Sequence, residues 1–115
     1  MTSPNTTSVD LADHIGPDLR PAWKELTLKD SPDRIVLINP DLGPMDRPFR
    51  NLLRRNALNR IVWVAELPDP LAAERYDSYV EMAWEGDLVA ANSWSGFYVL
   101  IDPETGRIRS GEFVK

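Results

Sequence analysis

The chain has 115 residues, of which 43% are hydrophobic and 27% charged, and its formal net charge is −5. This length and hydrophobic content suit one domain with one core. The negative charge disfavours nucleic acid and anionic membrane surfaces, which would repel the protein, and it favours a basic protein partner. The lack of cysteine excludes disulfides, thiol nucleophiles and zinc-thiolate sites.

The N-terminal part of the chain predicts a tail and an arm. Residues 1–8 are polar and rich in Thr and Ser, so we expect a flexible N-terminus followed by a single domain over residues 9–115. They lack the regions of a signal peptide, and no apolar run reaches the ~20 residues that span a bilayer. We therefore expect a cytoplasmic protein with no membrane partner. Three prolines in residues 9–33 exclude a long helix there, and Trp23 is expected to anchor an arm on the core.

The middle of the chain predicts two strands and a helix. Residues 34–39 form a β-branched run between proline turns, and its continuous apolar character predicts a buried strand. Asp46 can cap a helix over residues 47–57, because Pro48 fits a first turn and the apolar residues form one stripe. Residues 58–66 predict a second strand with two apolar faces. The arginines of the predicted helix lie largely opposite its apolar stripe: Arg47, Arg50, Arg54 and Arg55.

From Tyr76 onwards, four short strands joined by tight glycine-containing turns predict an antiparallel meander. The first of them, residues 76–84, alternates in polarity as a strand with one solvated face does. Adding the strand at 60–66 makes five strands, and adding residues 34–39 makes six. The predicted fold is α+β: an antiparallel β-meander covered by one short helix and the N-terminal arm.

The solvated face of the 76–84 strand predicts a partner-binding surface. It carries carboxylates with an aromatic side chain, Tyr79, between them, although a solvated face without a function explains the same pattern. Trp94 and Phe97 flank the next hairpin tip, where they either anchor a partner or pack across the sheet end. The candidate partner-binding residues are therefore Asp77, Tyr79, Glu81, Glu85, Asp87, Trp94 and Phe97.

A second candidate surface is basic. Arg47, Arg50 and Arg54 share one side of the predicted helix and form a patch for a partner or for assembly into a larger particle. A solvated or self-paired helix face is the alternative. The charge of the whole chain argues against nucleic acid as the ligand of this patch.

No motif for catalysis, metal binding or cofactor binding stands out. His14 is the only histidine, the glycines sit singly at turns, and there is no nucleophile elbow. Asp77, Glu81 and Glu85 are four residues apart along a strand, which is too far for a catalytic carboxylate pair. The sequence predicts no catalytic residues, no metal and no cofactor.

The residues from 88 to 109, LVAANSWSGFYVLIDPETGRIR, together with the Phe113-Val-Lys end, resemble the tail of small bacterial immunity-type proteins. In those proteins a Ser-Trp-x-Gly turn and an Ile-Asp-Pro-x-Thr-Gly-x-Ile hairpin precede a Phe-x-Lys end. The similarity covers the last third of the chain. Such proteins are encoded beside polymorphic toxins and neutralise them by binding. The resemblance implies a non-enzymatic inhibitor of a toxin or effector domain, and it transfers no site residue.

Two other functions are compatible with the sequence. One is a small-ligand-binding or enzymatic domain with a pocket on the concave sheet face near Trp63, Met82 and Trp84. The other is an assembly subunit that uses the arginine-rich helix. The sequence does not indicate the oligomeric state.

Overall fold

The computed structural model describes residues 17–68 and 76–113. These residues form two four-stranded antiparallel sheets, and in each sheet the strands lie in the order of the chain. The first sheet contains β1 (Lys24–Thr27), β2 (Arg34–Leu37), β3 (Leu52–Arg55) and β4 (Ile61–Val64), and the second contains β5 (Tyr79–Glu85), β6 (Leu88–Ser93), β7 (Phe97–Ile101) and β8 (Ile108–Phe113). A single 3-10 turn, Pro40–Leu42, is the only helical element in the described part.

The two sheets share one hydrophobic core. Ile35, Leu37 and Leu52 of the first sheet are fully buried in the same cluster as Val89 and Val99 of the second. Two sheets that each bury one apolar face against the other form a sandwich. The core therefore lies between two layers of strands.

The first sheet is also covered on its opposite face. Val36, Ile38 and Leu53 form a second buried cluster there, against which Phe49 and Val64 pack. Strand β2 consequently buries both of its faces, as its continuous apolar run predicted.

The helix predicted over residues 47–57 is wrong. Residues 52–55 form β3, an inner strand that pairs with both β2 and β4. Leu52 and Leu53 point into different clusters, which a strand between two covered faces allows and a one-sided helix does not. The apolar stripe at helical spacing was compatible with a helix or a strand. Pairing with two neighbouring strands makes residues 52–55 a strand.

The two arginines of β3, Arg54 and Arg55, are buried instead of solvated. Arg54 donates from Nε to Asp33 Oδ2 at 2.9 Å, and Arg55 donates from Nη2 to the Arg20 carbonyl at 2.6 Å. Arg55 also lies 3.4 Å from the carboxylate of Asp18. Burial opposes ionisation of Asp18, but hydrogen bonds from Arg20 and the charges of Arg20 and Arg55 outweigh it and lower the Asp18 pKa. Partners within the chain thus allow charged side chains at strand positions where apolar residues would be expected.

The antiparallel meander of the C-terminal part is confirmed, whereas the α+β class with five to six strands and one helix is not. The described residues contain eight strands and no α-helix, because the arm also contributes β1 and the predicted helix became β3. Residues 1–16, with the expected flexible tail and His14, lie outside the described part of the chain.

The turn between β7 and β8 is held against the first sheet. Trp63 Nε1 donates to the Pro103 carbonyl at 2.9 Å, and Arg54 Nη1 donates to the same oxygen at 2.8 Å. Gly106 has a positive φ of 77°, and a Cβ at this position would lie 2.6 Å from the Trp63 ring. These contacts fix the angle at which the second sheet meets the first.

Candidate partner-binding surface

Strand β5, on which the candidate surface was predicted, contains a bulge. Its pairing with β6 shifts by one residue between Tyr79 and Glu81, so Tyr79 and Met82 both face the core. An extra residue in one strand reverses the alternation of faces beyond it. The polarity pattern of residues 76–84 therefore does not correspond to two continuous faces.

The assignment of Asp77 and Tyr79 to a solvated surface is wrong, since both are fully buried. The carboxylate of Asp77 accepts hydrogen bonds from the backbone N–H of Ser78 at 2.9 Å, from the N–H of Ser95 at 3.0 Å and from Ser95 Oγ at 2.8 Å. The Tyr79 hydroxyl donates to the Glu66 carbonyl at 2.6 Å, and burial raises the Tyr79 pKa. Both side chains hold the fold together.

Asn51 ties the start of β5 to the first sheet. Its side-chain N–H₂ donates to the carbonyls of Ile38 and Tyr79 at 2.8 Å each, and its Oδ1 accepts from the Tyr79 N–H at 2.8 Å. Asn51 is fully buried, so these bonds are shielded from water. The start of β5 is thereby tied to the residues that follow β2 and precede β3.

Beyond the bulge, the outward positions of the second sheet make one continuous surface. The register places Ala83 opposite Ala90 and Ala90 opposite Leu100, whereas their neighbours Met82, Ala91 and Val99 point into the core. Paired residues of adjacent strands lie on the same face of a sheet. We call this surface the acidic face; its residues are Glu81, Ala83, Glu85, Leu88, Ala90, Asn92, Tyr98, Leu100, Ser110 and Glu112.

The acidic face has a shallow apolar centre. Leu88, Tyr98 and Leu100 are half-buried by their neighbours, while Ala83 is exposed. Alanines at Ala83 and Ala90 keep the middle of the face low, so that a flat partner surface fits over it. This combination of an apolar centre and a polar rim is typical of protein–protein interfaces.

Three carboxylates surround that centre, and none of the ten residues of the acidic face is basic. Glu85 accepts a hydrogen bond from the Tyr98 hydroxyl, and this bond raises the Tyr98 pKa. Glu112 of β8 lies directly opposite Tyr98 of β7 in the strand register. Glu81 accepts from Lys24 Nζ at 2.5 Å, and this hydrogen bond lowers the Glu81 pKa. Lys24 belongs to β1, so it reaches only the edge of the face. Glu85 and Glu112 take part in no ion pair among the described residues, so no basic side chain there offsets these two carboxylates.

The remaining candidate residues lie at the two ends of the second sheet. Trp94 is 57% exposed in the β6–β7 turn, where its ring and the Tyr76 ring form a T-shaped pair with centroids 5.3 Å apart. Phe97 is half-buried and packs against the core. Asp87 is exposed in the β5–β6 turn, at the opposite end.

The predicted basic patch does not exist as one surface. Arg54 is buried, and Arg50 donates from Nε to the Ala65 carbonyl at 3.1 Å and from Nη2 to the Val64 carbonyl at 2.9 Å. Arg47 extends into solvent, 3.5 Å from its neighbour Asp46, and Arg50 is exposed although it is bonded to these two carbonyls. Without the helix, these three arginines have no common side.

A groove of about 570 Å³ lies at the end of the sandwich where Asp87 is found. It is lined by the β1–β2 turn, the β5–β6 turn and the β7–β8 turn, and Trp84 forms part of its wall. The pocket predicted on a concave sheet face is different, because Met82 packs in the core and Trp63 lies against Gly106. Of the three side chains predicted for that pocket, only Trp84 lines the groove.

The described residues include no group of three side chains suited to bind a metal ion. Nor does this part of the chain contain a helix long and apolar enough to cross a membrane.

Sequence reasoning missed the residues that β6, β7 and β8 contribute to the acidic face, chiefly Leu88, Tyr98, Leu100 and Glu112. A usable signal was present, since counting forward in twos from the Gly96 turn places Tyr98 and Leu100 on one face. The missing information was the bulge, which decides whether that face is shared with Glu81 and Glu85 or with Tyr79.

Comparison of the chain with protein-family models, with curated proteins and with solved structures found no match. What the protein does has therefore to be inferred from its own residues.

Proposed function

We propose that this chain is an immunity-type inhibitor: a non-enzymatic, cytoplasmic bacterial protein that neutralises a cognate toxin by binding it through the acidic face. The observation that carries the proposal is the arrangement of Glu81, Glu85 and Glu112 around an apolar centre, with no basic residue among the ten residues of the face. The tail motifs shared with small immunity-type proteins support the same role.

The chemistry of the acidic face specifies the partner. A negative field around a flat apolar patch attracts a basic surface with an apolar centre, such as that of a toxin or effector domain that binds an anionic substrate. Complementary charge raises the association rate and restricts the choice of partner, while the apolar centre keeps the complex together. Tyr98 supplies the large amphipathic side chain that interfaces favour.

The test is a charge reversal on the acidic face, with a matched reversal elsewhere. Glu85→Lys combined with Glu112→Lys changes the net charge by as much as Asp46→Lys combined with Glu66→Lys, whose side chains are exposed away from the face. The partner is captured with the tagged wild-type chain from its own host and then purified. Association and dissociation rates are measured for the three proteins at low and high salt.

We expect the reversal on the face to lower the association rate by about tenfold or more at low salt and to abolish protection of cells that express the partner. The matched pair should alter the rate by only about twofold. Equal effects of the two pairs, or full protection by the face variant, would refute the acidic face as the binding surface. Circular dichroism of each variant verifies that it is folded.

A further inference from the structure

The groove at the end of the sandwich combines an exposed aromatic ring with carboxylates. Trp84 is 37% exposed there, next to Leu28 and Pro103, so one wall of the groove is apolar. Asp30, Asp87 and Glu104 come from three different turns, and only one lysine, Lys29, lines the groove with them. Three acids against one base disfavour an anionic ligand and favour a cation.

The carboxylates of this groove are available to a ligand. Within residues 17–68 and 76–113, neither Asp30 nor Asp87 takes part in an ion pair or side-chain hydrogen bond. Glu104 is 77% exposed and lies 3.9 Å from Arg54, which is already bonded to Asp33 and to Pro103. Two of the three carboxylates of the groove, Asp30 and Asp87, are therefore without a partner among the described residues.

The groove adjoins the acidic face. Trp84 and Glu85 are consecutive residues of β5, and they point to opposite sides of the strand, Trp84 into the groove and Glu85 onto the face. Gly86 and Asp87 then turn around the end of the sheet. A protein bound to the acidic face would reach the groove with a loop that passes this turn.

We propose that the groove receives an arginine side chain from a loop of the basic partner. A guanidinium stacks flat on an indole ring and binds carboxylates through its fork of N–H donors, which an ammonium group does less well. The volume of the groove lies within the range of ligand-binding clefts and leaves room for the residues next to the arginine. This inference rests on the proposed function for the source of the arginine.

The first test needs no partner. The full chain, labelled with ¹⁵N, is titrated with the blocked tripeptide acetyl-Gly-Arg-Gly-amide, and the indole N–H signals of its four tryptophans are followed by NMR. The Trp84 signal is assigned with Trp84→Phe. The same peptide with citrulline, a neutral analogue of arginine, is the control ligand, and Asp30→Asn combined with Asp87→Asn is the control protein.

We expect a saturable shift of the Trp84 indole signal with the arginine peptide, no shift with the citrulline peptide, and about tenfold weaker binding by the asparagine variant. An equal response to the citrulline peptide would overturn the proposal. NMR signal changes near every exposed acid, without a saturable change at Trp84, would overturn it too. Tighter binding of free arginine or spermidine than of the peptide would also overturn it, since the groove would then be a small-molecule site.

The second test separates this inference from the proposed function. The asparagine pair in the groove and the lysine pair on the acidic face are compared in binding to the captured partner. If the inference is correct, the groove variant dissociates from the partner about tenfold faster than the wild type. Normal dissociation by the groove variant, with weakened binding by the face variant, would refute the groove and leave the proposed function standing.

Discussion

At the scale of single residues, Gly106 shows how closely the β7–β8 turn approaches the first sheet. Its φ of 77° lies in the left-handed region, and its missing side chain leaves the space that the Trp63 ring occupies. Gly86 has a similar φ of 62°, but a Cβ there would meet nothing within 4 Å. A substitution at Gly86 therefore tests the backbone conformation alone, whereas a substitution at Gly106 also tests the contact with Trp63.

Replacing each glycine by alanine should destabilise the protein to different extents. Gly86→Ala adds only the cost of a left-handed alanine, about 1 kcal/mol, whereas Gly106→Ala also displaces Trp63 and should cost about 3 kcal/mol. Urea unfolding followed by far-UV circular dichroism measures both. Equal losses would mean that Trp63 moves aside without cost, and the contact would then not fix the angle between the sheets.

At the scale of elements, the bulge in β5 determines which side chains of the second sheet face solvent. Asn51 binds Tyr79 through both its N–H₂ and its Oδ1, immediately before the bulge. The residues that follow are shifted by one position, so that Met82 enters the core and Glu81 leaves it. An amide side chain beside the first sheet thus holds the residue at which the bulge begins.

Asn51→Ala should lower the free energy of unfolding by about 2–4 kcal/mol, because it leaves buried backbone groups of Ile38 and Tyr79 without partners. Asn92→Ala is the matched control, since Asn92 is half-buried on the acidic face and should change stability by less than about 0.5 kcal/mol. Urea midpoints of the two variants provide the comparison. Similar midpoints would show that the bulge is held in place without Asn51.

At the scale of the whole molecule, the two sheets should unfold together. The core is built from both of them, and the bonds from Trp63, Arg54 and Asn51 all cross from the first sheet to the second. Neither sheet can cover its inner apolar face alone, so opening one would expose the other.

Native-state hydrogen exchange can test this cooperativity. Amides in the inner strands β2 and β3 should exchange with the same opening free energy as those in β6 and β7, equal to the global value from urea unfolding. A lower value for one sheet would mean that it opens independently, and the shared core would not couple the two.

The turns and strands of residues 88–113 and the strand β2 were predictable from the sequence. Glycines at the hairpin turns, a Pro-containing turn after β7 and apolar runs of strand length are local signals, and they act whatever surrounds them. Glu81 and Glu85 were also correctly expected to face solvent, although the bulge in β5 is what places them there. The predicted roles of Asp87 and Trp94 in binding remain predictions.

The helix over residues 47–57 and the solvated position of Asp77 and Tyr79 were wrong because tertiary structure decides both. Whether Leu52 to Arg55 becomes a helix or a strand depends on the neighbours β2 and β4, and burial of Arg54 depends on Asp33 and the distant Pro103 carbonyl. The bulge in β5 is an irregular pairing with β6, held beside Asn51, that no periodicity encodes. The sequence by itself determined the strands of the second sheet and their charge, whereas only the packing of the two sheets determined which of those charges face a partner.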